Sequence, residues 1–181
     1  MTVEKMLTKS EIVLLGLLSE GAKYAWQIEK DVEHRAIRFW TDLSQATIYR
    51  QLTALEKAGM IDSSRGVVDG RARKTYTLTV LGNAALCENL LGLLTAPEHM
   101  KYGIDLATYN SGLLHRNDVL TALSSYREKL LEAIRGYEET EEYMRSEGCP
   151  YHRLAVVRRP RYLLQGDINW IDDFMQELVA Q

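Results

Sequence analysis

Cysteine is scarce: Cys87 and Cys149 are the only two in 181 residues, far apart and set in helix-like sequence. A disulfide framework needs more cysteines at closer spacing, so the chain reads as a protein of a reduced, cytoplasmic compartment. The four histidines, His34, His99, His115 and His152, are dispersed. None stands four residues from another, and no local set of His and Cys reaches the count of a zinc site, so no metal is expected. No Gly-rich phosphate loop is present, and no cofactor is expected. Nothing in the sequence supports a catalytic constellation, and the chain is read as a protein that is not an enzyme. The apolar run "IVLLGLL" is bracketed by Glu11 and Glu20, too short and too acidic at its flanks for a signal peptide. No segment approaches the roughly 18 apolar residues of a membrane span, so no membrane partner is expected. Internal repeats and low-complexity tracts are also missing.

What is present is ordinary globular material. A hydrophobic content of 46% with 26% charged residues is enough for a core. The net charge of −3 does not advertise nucleic-acid binding, but it hides a split. Residues 1–83 carry 12 Lys and Arg against 10 Asp and Glu, whereas residues 84–181 carry 10 against 15. A positive front and a negative back point to different partners for the two regions.

Along the chain, "SEIVLLGLLSEG" opens a short buried helix, with Ser10 as the expected N-cap and Gly21 beyond its end. "YAWQIEKDVEHRAIRFW" predicts a second helix with Trp26, Ile28, Val32 and Ile37 buried, broken by "TDLS". Ser44 then caps a third helix, in which Ile48, Leu52 and Leu55 recur at helical spacing, and Gly59 ends it. The next stretch loses the helical period. "KTYTLT" is β-rich, and Asp69-Gly70 is a turn between two short extended segments. Three helices followed by a two-stranded hairpin is the order of a winged helix-turn-helix. A helix resumes at about Thr79 and breaks near Pro97, a short helix is expected around "GIDLATY", and two long helices follow, separated by Gly148 and Pro150. The fold class expected is therefore mainly α with a small β-hairpin: an α+β winged helix-turn-helix over residues 1–83 and an all-helical dimerisation region over 84–181.

The polar side of the third helix is unusual. In "SQATIYRQLTALEKAGMI", Tyr49, Arg50, Thr53 and Lys57 lie opposite the apolar stripe, with Ser44, Gln45 and Thr47 at the opening turn. A helix-turn-helix inserts its second helix into the DNA major groove, N-terminal residues nearest the bases. Amides and hydroxyls can read base edges or hold phosphates, and Arg pairs bidentately with guanine. The hairpin then supplies Arg65, Arg71, Arg73 and Lys74 against the single Asp69, a charge set suited to the adjacent phosphates. The DNA-contacting set read from the sequence is thus Ser44, Gln45, Thr47, Tyr49, Arg50, Arg65, Arg71, Arg73 and Lys74.

These residues also carry a resemblance. "IVLLGLLSEG", "SQATIYRQLTALEKAGMI" and "GRARKTYTLTVLG", covering roughly residues 8–85, resemble the PadR-like family of transcriptional regulators. The helical C-terminal region looks like that of the family's longer-tailed members. The resemblance implies a homodimer that binds a palindromic double-stranded operator, usually as a repressor, and releases it when a small molecule binds. Ala46 and Arg50 stand where many relatives carry Gly and Pro, so no operator sequence is carried over. Trp26 in "AWQI" replaces the Tyr of the family's Gly-Tyr-Glu-Ile stretch.

In the last helix Leu164, Ile168, Ile171, Met175 and Leu178 follow alternating spacings of 3 and 4, with Arg161 in the one polar slot, forming a coiled-coil-like seam. The seam either packs on the preceding long helix as a hairpin or pairs across a dimer axis; the dimer interface is the expectation adopted. Trp26, Trp40 and Trp170 would be core by residue type. Around a dimer cavity they would instead suit a small aromatic or apolar effector. Two rival functions stay open: a protein-interaction module built on the long helices, and a transcriptional activator.

Overall fold

The computed structural model describes residues 6–68 and 71–180, apart from the side chains of Phe39, Val67, Val68 and Arg71. The chain divides into two compact units, residues 1–99 and 100–181.

The first unit contains helix α1 (Lys9–Ser19), the short strand β1 (Lys23–Tyr24), helix α2 (Ala25–His34), helix α3 (Gln45–Lys57), strands β2 (Ile61–Val68) and β3 (Arg71–Leu78), and helix α4 (Val80–Thr95). Thr8, not Ser10, caps α1. Its hydroxyl accepts from the Glu11 N–H at 3.2 Å while the Glu11 carboxylate accepts from the Thr8 N–H at 2.8 Å. The acid three residues on closes a capping box around Thr8, and Ser10 falls inside the first turn. Helix α2 ends earlier than its sequence pattern implies. Ala36 adopts the left-handed conformation (φ 50°), and Ile37–Phe39 then forms a single 3₁₀ turn. Ile28, Val32 and Ile37 are buried as expected, but Trp26 is exposed. It lies two residues before Ile28, on the other side of α2, so the stripe that meets the core leaves it out.

The buried faces of α1 (Leu14, Leu15, Leu18), α2 (Ile28, Val32) and α3 (Ile48, Leu52, Leu55) close one core over Met60, Ile61 and Tyr76 of the sheet region. The sheet has three antiparallel strands in the order β1-β3-β2, one more than the hairpin expected, because Lys23 and Tyr24 pair with Tyr76 and Thr75. Strands β2 and β3 pair from Ile61↔Leu78 to Val68↔Arg71. The turn expected at Asp69-Gly70 lies outside the described residues. The result is a winged helix fold: α2 and α3 as the helix-turn-helix, β2 and β3 as the wing.

The second unit holds a short helix α5 (Gly103–Tyr109), then α6 (Arg116–Ser146) and α7 (Tyr151–Ala180), joined through Gly148 (φ 71°) and Pro150. The two long helices form an antiparallel hairpin. Val119, Leu123 and Leu130 of α6 meet Ile168 and Ile171 of α7, with Leu164, Met175 and Leu178 packed at the margin. The seam expected across a dimer axis therefore faces α6 of the same chain, and Ile168 and Ile171 have no surface left for a partner. Arg161, its polar slot, is matched from α6 by Glu141 at 2.8 Å and Glu138 at 2.7 Å.

Candidate nucleic-acid interface

The third helix is built so that one side is fixed and the other free. Ser44 caps it, its hydroxyl accepting from the Thr47 N–H at 3.2 Å and lying 2.9 Å from the Thr47 hydroxyl. At the far end Gly59 takes φ 71°, a conformation that disfavours a Cβ, and the Met60 N–H returns to the Leu55 carbonyl. Ile48, Leu52 and Leu55 are fully buried, which pins the rotation of the helix about its axis. That rotation presents Gln45, Tyr49, Arg50, Thr53 and Lys57 to solvent. Of the helix residues expected to contact DNA, Gln45, Tyr49 and Arg50 are exposed, and Ser44 and Thr47 sit together in the cap.

The wing residues divide. Arg65 on β2 is exposed, and Arg73 on β3 extends over two rings, its guanidinium 5.4 Å from the Tyr24 ring and 5.6 Å from the Trp26 ring. Exposed Trp26 is thus a cation–π platform for a wing arginine. Lys74, the next residue, points to the opposite face of the strand. Its ammonium donates to Glu56 Oε2 of α3 at 2.6 Å and lies 5.1 Å from the Tyr76 ring. The bond to Lys74, and after it the bond from the Ser63 hydroxyl, hold the Glu56 carboxyl below its usual pKa. The same carboxylate raises that of Lys74. The side chain of Arg71 lies outside the described residues.

Glu56 escaped the reading of the sequence. The only signal for it is an acid near the end of a helix whose other polar residues are neutral or basic, and its partners come from strands 7 and 18 residues further on. Trp40, like Trp26, is exposed, and Trp170 on α7 stacks on Phe174 with ring centres 5.7 Å apart. Among the described residues no group of three His, Cys, Asp or Glu could hold a metal. No described helix is long and apolar enough to cross a membrane.

An exposed polar N-terminal face on the second helix of a helix-turn-helix, flanked by a wing bearing Arg65 and Arg73, defines a winged helix DNA-binding protein. The model of the PadR-like family of transcriptional regulators matches residues 14–88, and the chain belongs to that family. It is 34% identical over 77 residues to an uncharacterized protein of Lysinibacillus sphaericus, covering 42% of this chain and 70% of that protein. It is 47% identical over 47 residues to a transcriptional regulator of Mycobacterium tuberculosis, covering 26% of this chain and 44% of the relative. In fold it resembles Bacillus subtilis PadR, solved in complex with operator DNA. The TM-score is 0.74 at 19% identity, over 93% of this chain and 98% of PadR. PadR has also been solved with p-coumaric acid. The protein is accordingly a DNA-binding transcriptional regulator, and its family is one of regulators rather than enzymes.

Proposed function

We propose that the protein is a homodimeric, cytoplasmic repressor that binds a palindromic operator through α3 and the wing and leaves it when a small aromatic or apolar effector binds. The observation that carries this reading is the face of α3: Gln45, Tyr49 and Arg50 stand exposed on a helix whose opposite side is locked by Ile48, Leu52 and Leu55. Such a face has the groups and the fixed orientation that base readout needs. Dimerisation through residues 84–181 is supported by the apolar surface there. Leu90, Leu91, Leu93 and Leu94 on α4 are exposed, as are Leu106, Leu113 and Leu114 beyond it. Exposed apolar residues clustered along one helix, as the four leucines of α4 are, mark an interaction surface. The operator and p-coumaric acid complexes of PadR support DNA and a planar acid as the two ligands.

Selection of bound sequences from random DNA by the full-length protein tests the reading. The expected product is an inverted repeat with half-site centres about one turn, roughly 34–36 Å, apart. Enrichment of a single unrepeated site would sink the dimeric palindrome. A reporter under the selected site should be less active with the protein present than without it; higher activity identifies an activator.

A further inference from the structure

One carboxylate ties α3 to both strands of the wing. Glu56, in the last turns of the helix, accepts from the Ser63 hydroxyl of β2 on one oxygen and from the Lys74 ammonium of β3, at 2.6 Å, on the other. Both members of the Glu56–Lys74 pair are half-buried, and Lys74 also packs over Tyr76. Among the described residues neither Arg65 nor Arg73 makes a hydrogen bond or ion pair with α3; Arg65 acts on Glu56 only through its charge, the weakest of the causes that lower the Glu56 pKa, and Arg73 rests on neutral rings that leave its charge intact.

We propose that Glu56 is a positioning residue of the DNA-binding surface: it holds the wing against the recognition helix through Lys74 and Ser63, and so withdraws Lys74 from the phosphate-contacting set. The inference rests on the reading that α3 and the wing face DNA. A cation adds to DNA affinity by releasing counterions from the phosphates it neutralises. Lys74 is already neutralised by a carboxylate. To reach a phosphate it would have to abandon Glu56 and leave that carboxylate bare beside a polyanion. The wing therefore binds backbone through Arg65 and Arg73, and Lys74 serves as a strut that sets their distance from α3. Two adjacent basic residues of one strand, on opposite faces, have different tasks.

The test is the salt dependence of operator binding by the full-length protein, with circular dichroism confirming that each variant is folded. Arg73→Ala should lower the log–log salt slope by roughly 0.9 per protomer, the value of one phosphate contact. Lys74→Met should leave the slope at the wild-type value, because no phosphate contact is lost, while weakening binding at every salt concentration, because the wing is no longer held against α3. Glu56→Ala should raise the slope by a similar roughly 0.9 per protomer, because Lys74 is set free, and the double variant Glu56→Ala with Lys74→Met should return it to wild type. A Lys74→Met slope as low as that of Arg73→Ala overturns the proposal, and so does a rise in Glu56→Ala that persists in the double variant. A second measurement needs no DNA. The Glu56 carboxyl, followed by carbon NMR in the free protein, should titrate below its ordinary range and move upward in Lys74→Met; an ordinary titration in both overturns the strut. A wild type whose binding shows no salt dependence would instead overturn the DNA face itself, while the NMR arm still decides the strut.

Discussion

Gly82 of α4 lies directly against the backbone carbonyl of Met60: a Cβ at residue 82 would stand 2.0 Å from that oxygen and 2.9 Å from Leu78 Cδ1. The approach is held from both sides. The Met60 carbonyl accepts from the Thr79 N–H at 3.1 Å, and Thr79 caps α4 by accepting from the Gly82 N–H at 3.0 Å. The segment that follows α3 and the start of α4 therefore meet without room for one methyl group. Because the obstructing atom is backbone, Gly82→Ala should cost about 2–3 kcal/mol, at the upper end of overpacking effects. Urea denaturation checks this; a loss below about 0.5 kcal/mol, ordinary for a surface change, would show that the junction yields.

The exposed face of α3 makes a separable prediction. Arg50→Ala or Gln45→Ala should cost about 1–3 kcal/mol on the selected operator and relax preference at one position per half-site, as expected for loss of a bidentate base contact. Equal loss on every sequence in a competition assay would assign those side chains to backbone positioning.

The hairpin and the exposed leucines predict opposite phenotypes. Ile168 is 2% exposed and packs on α6 of its own chain, so Ile168→Asp buries an unpaired charge. It should lower the melting temperature and helicity of the second unit. Leu91→Asp with Leu94→Asp alters side chains already in water and should keep the circular dichroism spectrum while giving monomers in sedimentation. A dimer that survives the double leucine change would move the interface away from α4.

Acid should act on the hairpin through Glu141. This side chain is nearly buried and accepts from Arg158 at 2.6 Å, Arg145 at 2.7 Å and Arg161 at 2.8 Å. The hydrogen bond from Arg158 is the main cause that takes its pKa down to about 2; burial opposes it, and Arg145 adds to it. The unfolded chain, with a Glu pKa of roughly 4.3, takes up the proton first. The stabilisation is therefore complete above that value and is lost as pH falls towards about 2. Denaturant midpoints measured from pH 5 to pH 2 should drop more steeply for the wild type than for Glu141→Gln. Parallel curves would remove Glu141 from the acid response.

Much of this was legible from residue type and spacing. The cap at Ser44, the stripe Ile48–Leu52–Leu55 and the helix break before Pro97 are local signals, and the structure follows them. What was not legible depends on partners distant in sequence. Strand β1 is two residues long and exists only because β3 pairs with it. Helix α2 stops because Ala36 turns left-handed, a conformation that alanine does not announce. The period of Leu164, Ile168, Ile171, Met175 and Leu178 defines an apolar stripe but carries no information on which chain covers it. Lys74 counts as one more positive charge in the sequence; only the fold brings Glu56 within 2.6 Å of it.

The contact between Trp26 and Arg73 leads to the last prediction. The guanidinium lies 5.6 Å from the Trp26 ring, so the indole links α2 to the wing. A planar aromatic acid that stacks on Trp26 would compete with Arg73 for that face, and its carboxylate would pair with the same guanidinium. Either effect moves a wing arginine away from the phosphates. A ligand shifts an equilibrium only by its differential affinity for the two arrangements, and competition for Arg73 supplies that difference. With p-coumaric acid as the probe, binding should quench tryptophan fluorescence and weaken operator affinity. Trp26→Ala should abolish the weakening while costing unliganded DNA binding no more than about 0.5–1 kcal/mol, the usual worth of an exposed cation–π contact. Trp40 is exposed and, among the described residues, no ring contact joins it to Arg73, so Trp40→Ala should retain the response. If Trp26→Ala responds to the acid as the wild type does, the effector acts elsewhere, and the Trp26–Arg73 contact is a support for the wing alone.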